Sequence, residues 1–238
     1  MLFGLATGLH ANNFTERELM AQTQLMDVHV TSLISQTDIT LSAIGEIFSH
    51  QILDEEDGHD LLQRFVTKLD GVRAIIFIGA DGALKYDSFS FPVPKVNLST
   101  REYFTGAQNS NGMLIVGSPV VGKSSGIPFI PIAKSVQRDG AFAGVLVAIV
   151  TPETMIVSEH YNNCVRCVSL VTDLSGNILS QFPAGMTLDK DLRQKLQVEK
   201  RPVSGTELID AGLLKARIFW RRSDDFSVIS IFLEYQGD

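Results

Sequence analysis

Between Thr15 and Ile52 the chain has no proline and one glycine, Gly45. Thr15-Glu-Arg-Glu18 has the spacing of a capping box, in which a hydroxyl and a carboxylate satisfy free backbone N–H groups reciprocally. Met26, Val30, Leu33, Thr37, Leu41, Ile44 and Phe48 then follow at steps of three and four. The pattern predicts one long helix with a single apolar stripe, about 60 Å from end to end. Such a stripe needs a cover. The helix's own sheet is one candidate. A second copy of the helix is the other, since the steps resemble heptads.

Asp57 caps a predicted second helix carrying Leu61, Leu62, Phe65, Val66 and Leu69. The pattern then changes to period two. Gly71–Ser88 is an apolar β-branched run, an Asp81-Gly82 turn, and Leu84, Tyr86 and Ser88 alternating with Lys85 and Asp87. Asp-Gly between two such runs marks a hairpin. Met113–Val121, Ile127–Val136 and Phe142–Val150 add three strands, punctuated by Gly122–Gly126 and Asp139-Gly140. Short turns between strands suit one antiparallel sheet.

A helix interrupts this strand block. In Asn97–Ala107, Ser99 and Glu102 have capping-box spacing, which puts Arg101 and Tyr103 in the first helical turn. An arginine fork near free N–H groups and the positive end of a helix dipole is a seat for a carboxylate. The alternative is a solvated surface arginine. After the sheet, Thr151-Pro152 starts a short helix to about Asn162 that serves as a linker. Beyond it, Val168–Asp173, Ile178–Phe182, Arg217–Arg221 and Phe226–Leu233 read as strands, and Asp189–Val198 as a helix. This is a smaller repeat of the same pattern.

Composition narrows the classes. The 238 residues allow one large domain or two small ones, and 45% hydrophobic with 20% charged residues supports a packed core. The net charge of −7, without a clustered basic run, argues against nucleic acid. No apolar run reaches the roughly 18–20 residues that span a bilayer. Met1–Leu9 is a poor signal peptide, lacking a basic start. Cys164 and Cys167 give no disulfide framework. If both lay in an extended segment, their Cα atoms would be about 10 Å apart, too far to bridge. They are expected to be two semi-buried thiols.

Gly117-Ser-Pro-Val-Val-Gly-Lys-Ser124 matches the P-loop pattern of phosphate-binding enzymes. A working P-loop must start a helix, and Gly126 and Pro128 prevent one here. The segment is expected to be a hairpin loop with Lys123 at its mouth. The histidines, His10, His29, His50, His59 and His160, share no spacing that suggests a metal site or a base. Neither catalytic residues, nor a metal, nor a cofactor is assigned.

The hairpin Gly71–Ser88, Asn97-Leu-Ser-x-Arg-x-Tyr-Phe104, Ser118-Pro119, Ser125-Gly126 and Gly144-Val-Leu146, in that order, resemble the double Cache (PDC) sensor modules of bacterial receptors. The likeness is carried by Phe14–Glu153. It implies an α+β fold, a long N-terminal helix followed by two PAS-like antiparallel-sheet domains in tandem. The expected divisions are 1–57 for the helix, 58–155 for a membrane-distal ligand-binding domain and 156–238 for a smaller proximal one. The implied role is extracytoplasmic sensing for a histidine kinase, diguanylate cyclase or chemoreceptor, with membrane segments outside this sequence. A ligand-free dimerisation or docking module is the alternative. Arg101, Tyr103, Tyr86, Ser118 and Lys123 are the expected ligand-binding residues. Amino-acid-binding members carry a tyrosine and an aspartate where this chain has Val120 and Ile149. That resemblance implies a small organic acid without an α-amine as ligand, and a possible homodimer through the first helix.

Overall fold

A computed structural model describes residues 15–157, 164, 166–188, 202–211 and 214–236. The expected helix 189–198, His10 and His160, and the Met1–Leu9 segment lie outside these residues. The first helix, α1, runs over Glu16–His50, about 52 Å at 1.5 Å per residue. Its capping box forms as expected: Thr15 Oγ1 accepts from Glu18 N at 3.3 Å, and Glu18 Oε2 accepts from Thr15 N at 2.8 Å. At the other end Arg138 donates to the carbonyls of Phe48 and Gln51, placing a cation at the negative end of the dipole.

The second helix, α2, spans Glu55–Val66 and starts earlier than expected. Its cap is Asp54, whose carboxylate accepts from Asp57 N at 2.8 Å, so Asp57 is inside the first turn. Two antiparallel sheets follow. The first contains β1 (Val72–Gly79), β2 (Leu84–Asp87), β3 (Ile115–Val116), β4 (Val120–Val121), β5 (Pro128–Arg138) and β6 (Ala141–Val150). Its order is β2-β1-β6-β5-β3, with β4 also on β5. The segment expected to be one strand over 113–121 splits in two around Gly117-Ser118-Pro119. Between β2 and β3 lies α3, Glu102–Asn109.

The second sheet has the order β8-β7-β11-β10-β9. Its strands are β7 (Cys167–Asp173), β8 (Ile178–Phe182), β9 (Ser204–Ala211), β10 (Leu214–Ser223) and β11 (Val228–Gln236). β9 was not expected. It is an edge strand reading Ser-Gly-Thr-Glu-Leu-Ile-Asp-Ala, and of its described side chains only Ile209 is buried, so it carries no hydrophobic alternation. The expected linker helix begins as a 3₁₀ turn, Pro152–Met155, and its further part, 158–163, lies outside the described residues.

The architecture is therefore the expected one, a long helix and two antiparallel sheets in tandem. The apolar stripe of α1 is covered by both sheets within one chain. Its buried Leu19, Val30, Ile34, Leu41, Ile44 and Phe48 form one cluster with Phe77, Ile132 and Leu146 of the first sheet and Val171, Phe219 and Phe232 of the second. Polar contacts fix the register. Lys134 donates to Asp38 at 2.6 Å and to Ser42 at 2.8 Å, holding the C-terminal half of α1 on β5. Arg221 donates to Asp27 at 2.8 Å, holding the N-terminal half on β10. Burial still keeps the Asp27 pKa above its ordinary value, because much of the Arg221 charge is shared with water.

Cys164 and Cys167 form a disulfide, contrary to the expectation of two thiols. The reason is local. Cys167 N bonds back to Cys164 O, so the chain turns before β7 and brings the Cα atoms to 5.3 Å, within bridging range.

Candidate functional site

The first sheet has two faces with different covers. One packs on α1. The other packs on α3 and the β2–α3 segment through Ile76, Ile78, Leu98, Tyr103, Phe104, Phe129, Val145 and Val147. A cleft opens within this second layer. Ile76, Leu84, Val96, Leu98, Phe129 and Ile149 form its apolar wall, Tyr103 its aromatic one, and Asp87, Lys123, Ser124 and Ser125 its polar part. Its volume is about 50 Å³, room for only a few heavy atoms and far below a typical drug-sized site.

Two of the five residues expected at the site, Tyr103 and Lys123, line the cleft. Tyr103 follows from its place in the first turn of α3, which points it at the sheet. It is 4% exposed, its ring lies 6.2 Å from that of Phe129, and burial raises its hydroxyl pKa while the Arg101 charge pulls it down. Lys123 reaches across to donate to the carbonyl of Asn97 at 2.8 Å.

Arg101 is not among the residues that line the cleft. The start of α3 differs from the sequence reading: Arg101 itself is the N-cap residue, and Ser99 does not cap. Asn97 captures Ser99 instead, its Oδ1 accepting from Ser99 N at 3.0 Å and Ser99 Oγ at 2.6 Å, an Asx turn that removes the hydroxyl from the helix. The Arg101 side chain therefore runs toward β4. Its Nη2 donates to Val121 O at 2.8 Å, and its Nε is buried without a partner. A buried unpaired guanidinium N–H is a strong donor without an acceptor.

Ser118 is exposed and absent from the cleft wall. Tyr86 lies on the opposite face. Its ring packs 5.3 Å from Phe48 of α1 and 5.7 Å from Phe77, and its hydroxyl donates to Leu53 O at 2.6 Å. The physical reason is a β-bulge. Phe77 pairs with Tyr86 and Ile78 pairs with Leu84, so Lys85 is an extra residue and the alternation changes parity there. Leu84 thus faces the cleft, Tyr86 faces α1, and Asp87, paired with Ile76, faces the cleft again.

Asp87 is the residue that sequence reasoning missed. It is 7% exposed, its Oδ1 accepts from Phe89 N at 2.8 Å, and its carbonyl accepts from His59 Nδ1 at 2.7 Å. Burial pushes its pKa up, partly offset by the N–H groups of Phe89 and Ser90 and by His59. The ionised carboxylate therefore costs stability at neutral pH. That cost is relieved as pH falls through the folded-state pKa, and the relief is complete below the unfolded value of about 3.9. Asp87→Asn keeps an acceptor for Phe89 N–H and cannot ionise. Its stability relative to the wild type is expected to fall as pH drops through the raised folded-state pKa toward about 3.9, as urea titrations would show. A difference that stays constant or grows toward acid contradicts the assignment.

The P-loop-like segment forms no phosphate loop. Val120-Val121 pairs with β5, and Gly122 N bonds to Ile127 O, closing a loop between two strands with no helix after it.

No protein-family model and no curated sequence matches the chain. Solved structures do resemble it. The extracellular domain of a protein described as a histidine kinase, rpHK1S-Z16, superposes with a TM-score of 0.80 at 22% identity, over 93% of this chain and 94% of that one. An extracellular ligand-binding receptor from Desulfohalobium retbaense gives 0.77 at 14% identity over 94% of this chain, which spans 41% of that receptor chain. The ligand-binding domain of the Pseudomonas aeruginosa amino acid chemoreceptor PctC, solved with GABA, gives 0.69 at 15% identity over 93% and 99% of the two chains. One helix laid along two tandem antiparallel sheets is the fold that this chain shares with these extracellular and ligand-binding domains.

Proposed function

We propose that this chain is the extracytoplasmic small-molecule sensor module of a bacterial transmembrane receptor and has no catalytic activity of its own. On this reading residues 58–155 form the ligand-binding domain, 156–238 the membrane-proximal one, and the segment 1–57, which contains α1, links both to the membrane. The observation that carries it is the cleft on the face of the first sheet away from α1, lined by Tyr103 and Lys123. A cationic side chain, Lys123, on an apolar, partly enclosed space suits a small carboxylate. The disulfide accords with an oxidising compartment.

The mechanism is differential binding. A ligand that favours one arrangement of α3 and the 122–126 loop shifts the first sheet, and α1, packed on both sheets, carries the change to the second. The exposed Leu25, Val28 and Ile39 of α1 offer a seam for a second copy. The docking reading draws on the small size of the cleft and on the exposed Phe89 and Phe91, 73% and 51% accessible.

A melting-temperature screen against small carboxylates tests the sensor reading. A ligand at a hundred times its Kd adds about 2.7 kcal/mol and raises the melting temperature by several degrees. ATP or GTP with magnesium should neither shift it nor be hydrolysed. Silence from every acid favours docking, and turnover that disappears in Lys123→Ala overturns the reading.

A further inference from the structure

We propose that the trough between the N-terminal half of α1 and the edge of the second sheet is a second ligand site, which takes a small anion with two or more acid groups. α1 packs on β10 and β11, one strand short of the edge strand β9. Ser204 of β9 pairs with Arg221 of β10, so the two share the face that looks toward α1. Arg17, Met20 and Gln24, at helical steps of three and four, form the other bank. Phe219 lies between the banks and is almost fully buried. The space holds about 300 Å³, against about 50 Å³ for the cleft on the first sheet, and reaches the lower end of the range for small-molecule sites. No residue lines both, so the proposal stands apart from the carboxylate reading of the cleft.

Charge decides the ligand class. The chain carries a net charge of −7, yet the described residues lining the trough include two arginines and no Asp or Glu. Arg221 is oriented without being saturated. Its Nε donates to Asp27 Oδ2 at 2.8 Å, and that bond positions a planar group with further N–H donors. Its side chain is 43% exposed, and its Nη groups have no partner among the described residues. Arg17, exposed in the first turn of α1, has no hydrogen-bond or ion-pair partner among them either. Asp27, to which Arg221 is tied, lies ten residues beyond Arg17, about 15 Å along the helix axis. The trough thus has a cation toward each end, with the amide of Gln24 and the hydroxyl of Ser204 beside them. An acid with one carboxylate meets one arginine, whereas a di- or tricarboxylate or a diphosphate meets both. Such an anion would tie the N-terminal half of α1 to the edge of the second sheet, next to the contact that sets its register.

Calorimetry of the whole chain with citrate, pyrophosphate and acetate tests the proposal. Citrate or pyrophosphate should bind with a Kd below about 1 mM, and acetate about tenfold more weakly or worse. Arg17→Gln should weaken the multivalent anion by about tenfold or more. Arg221→Gln alone would leave Asp27 buried without its cation. It is therefore made together with Asp27→Asn and compared with Asp27→Asn by itself, and the loss should again be about tenfold or more. Melting curves verify that each variant is folded. Binding that disappears in Lys123→Ala and survives Arg17→Gln puts the anion in the first-sheet cleft and overturns the proposal. So do retention within about twofold in both arginine variants, acetate binding as tightly as citrate, and the absence of saturable binding by either multivalent anion. Each of these outcomes leaves the sensor reading of the cleft standing.

Discussion

Phe48→Ala is expected to lower the unfolding free energy by about 3–5 kcal/mol, the range for emptying a buried phenylalanine site. Phe48 is 1% exposed near the C-terminal end of α1. Its ring lies 4.9 Å from Phe77 and 5.3 Å from Tyr86, so one side chain holds the helix to β1 and to β2 together. Those neighbours cannot collapse inward. Tyr86 is tied to Leu53 O, and its ring already presses on Gly58, where an added Cβ would sit 2.2 Å from it. The cavity should therefore persist, and the cost should lie toward the upper end. For a chain of this length the melting temperature should fall by roughly 6–20 °C. Phe89→Ala is the control, because Phe89 is 73% exposed and its loss should stay within about 0.5 kcal/mol. Urea titration of both variants measures this. A cost below about 1 kcal/mol for Phe48→Ala would mean that α1 is not packed on the first sheet as described.

Arg101→Ala should weaken the binding of small carboxylates by roughly tenfold, or about 1.4 kcal/mol. The substitution removes a nearby cation and releases Val121, the residue before the Gly122–Ser125 part of the cleft wall. Arg101→Lys should recover little of the loss, since an ammonium cannot donate from two fixed prongs. Stability should change by no more than about 1 kcal/mol, because Val121 is exposed and water can replace the lost donor. Titration calorimetry with an acid found in the melting screen decides the matter. Binding by Arg101→Ala within twofold of the wild type would show that the anion seat lies elsewhere.

The large outline of this protein was legible in its sequence because each element is marked locally. Thr15 and Glu18 sit one helical turn apart and form the cap that spacing predicts. The three- and four-residue steps of α1 become its buried stripe. Asp81-Gly82 makes the β1–β2 turn, with Gly82 at φ 76°. Gly126 and Pro128 exclude a P-loop helix, and none forms. These outcomes depend on steric limits and hydrogen bonds within a few residues.

The site was legible only in part. Tyr103 and Lys123 reach the cleft because a first helical turn and a hairpin mouth have predictable directions. Tyr86 and Asp87 exchanged roles because strand parity holds only while pairing is regular. One extra residue at Lys85 reverses every side chain after it, and no residue type announces the bulge. Ser99 lost its capping role to Asn97, a competition between two local hydrogen bonds that spacing cannot rank. Cys164 and Cys167 meet because the chain turns before β7, which the expectation of extended backbone left out. The register of two paired strands, the choice between rival caps and the path into β7 are set by contacts between separate parts of the chain, and those come into being only when it folds.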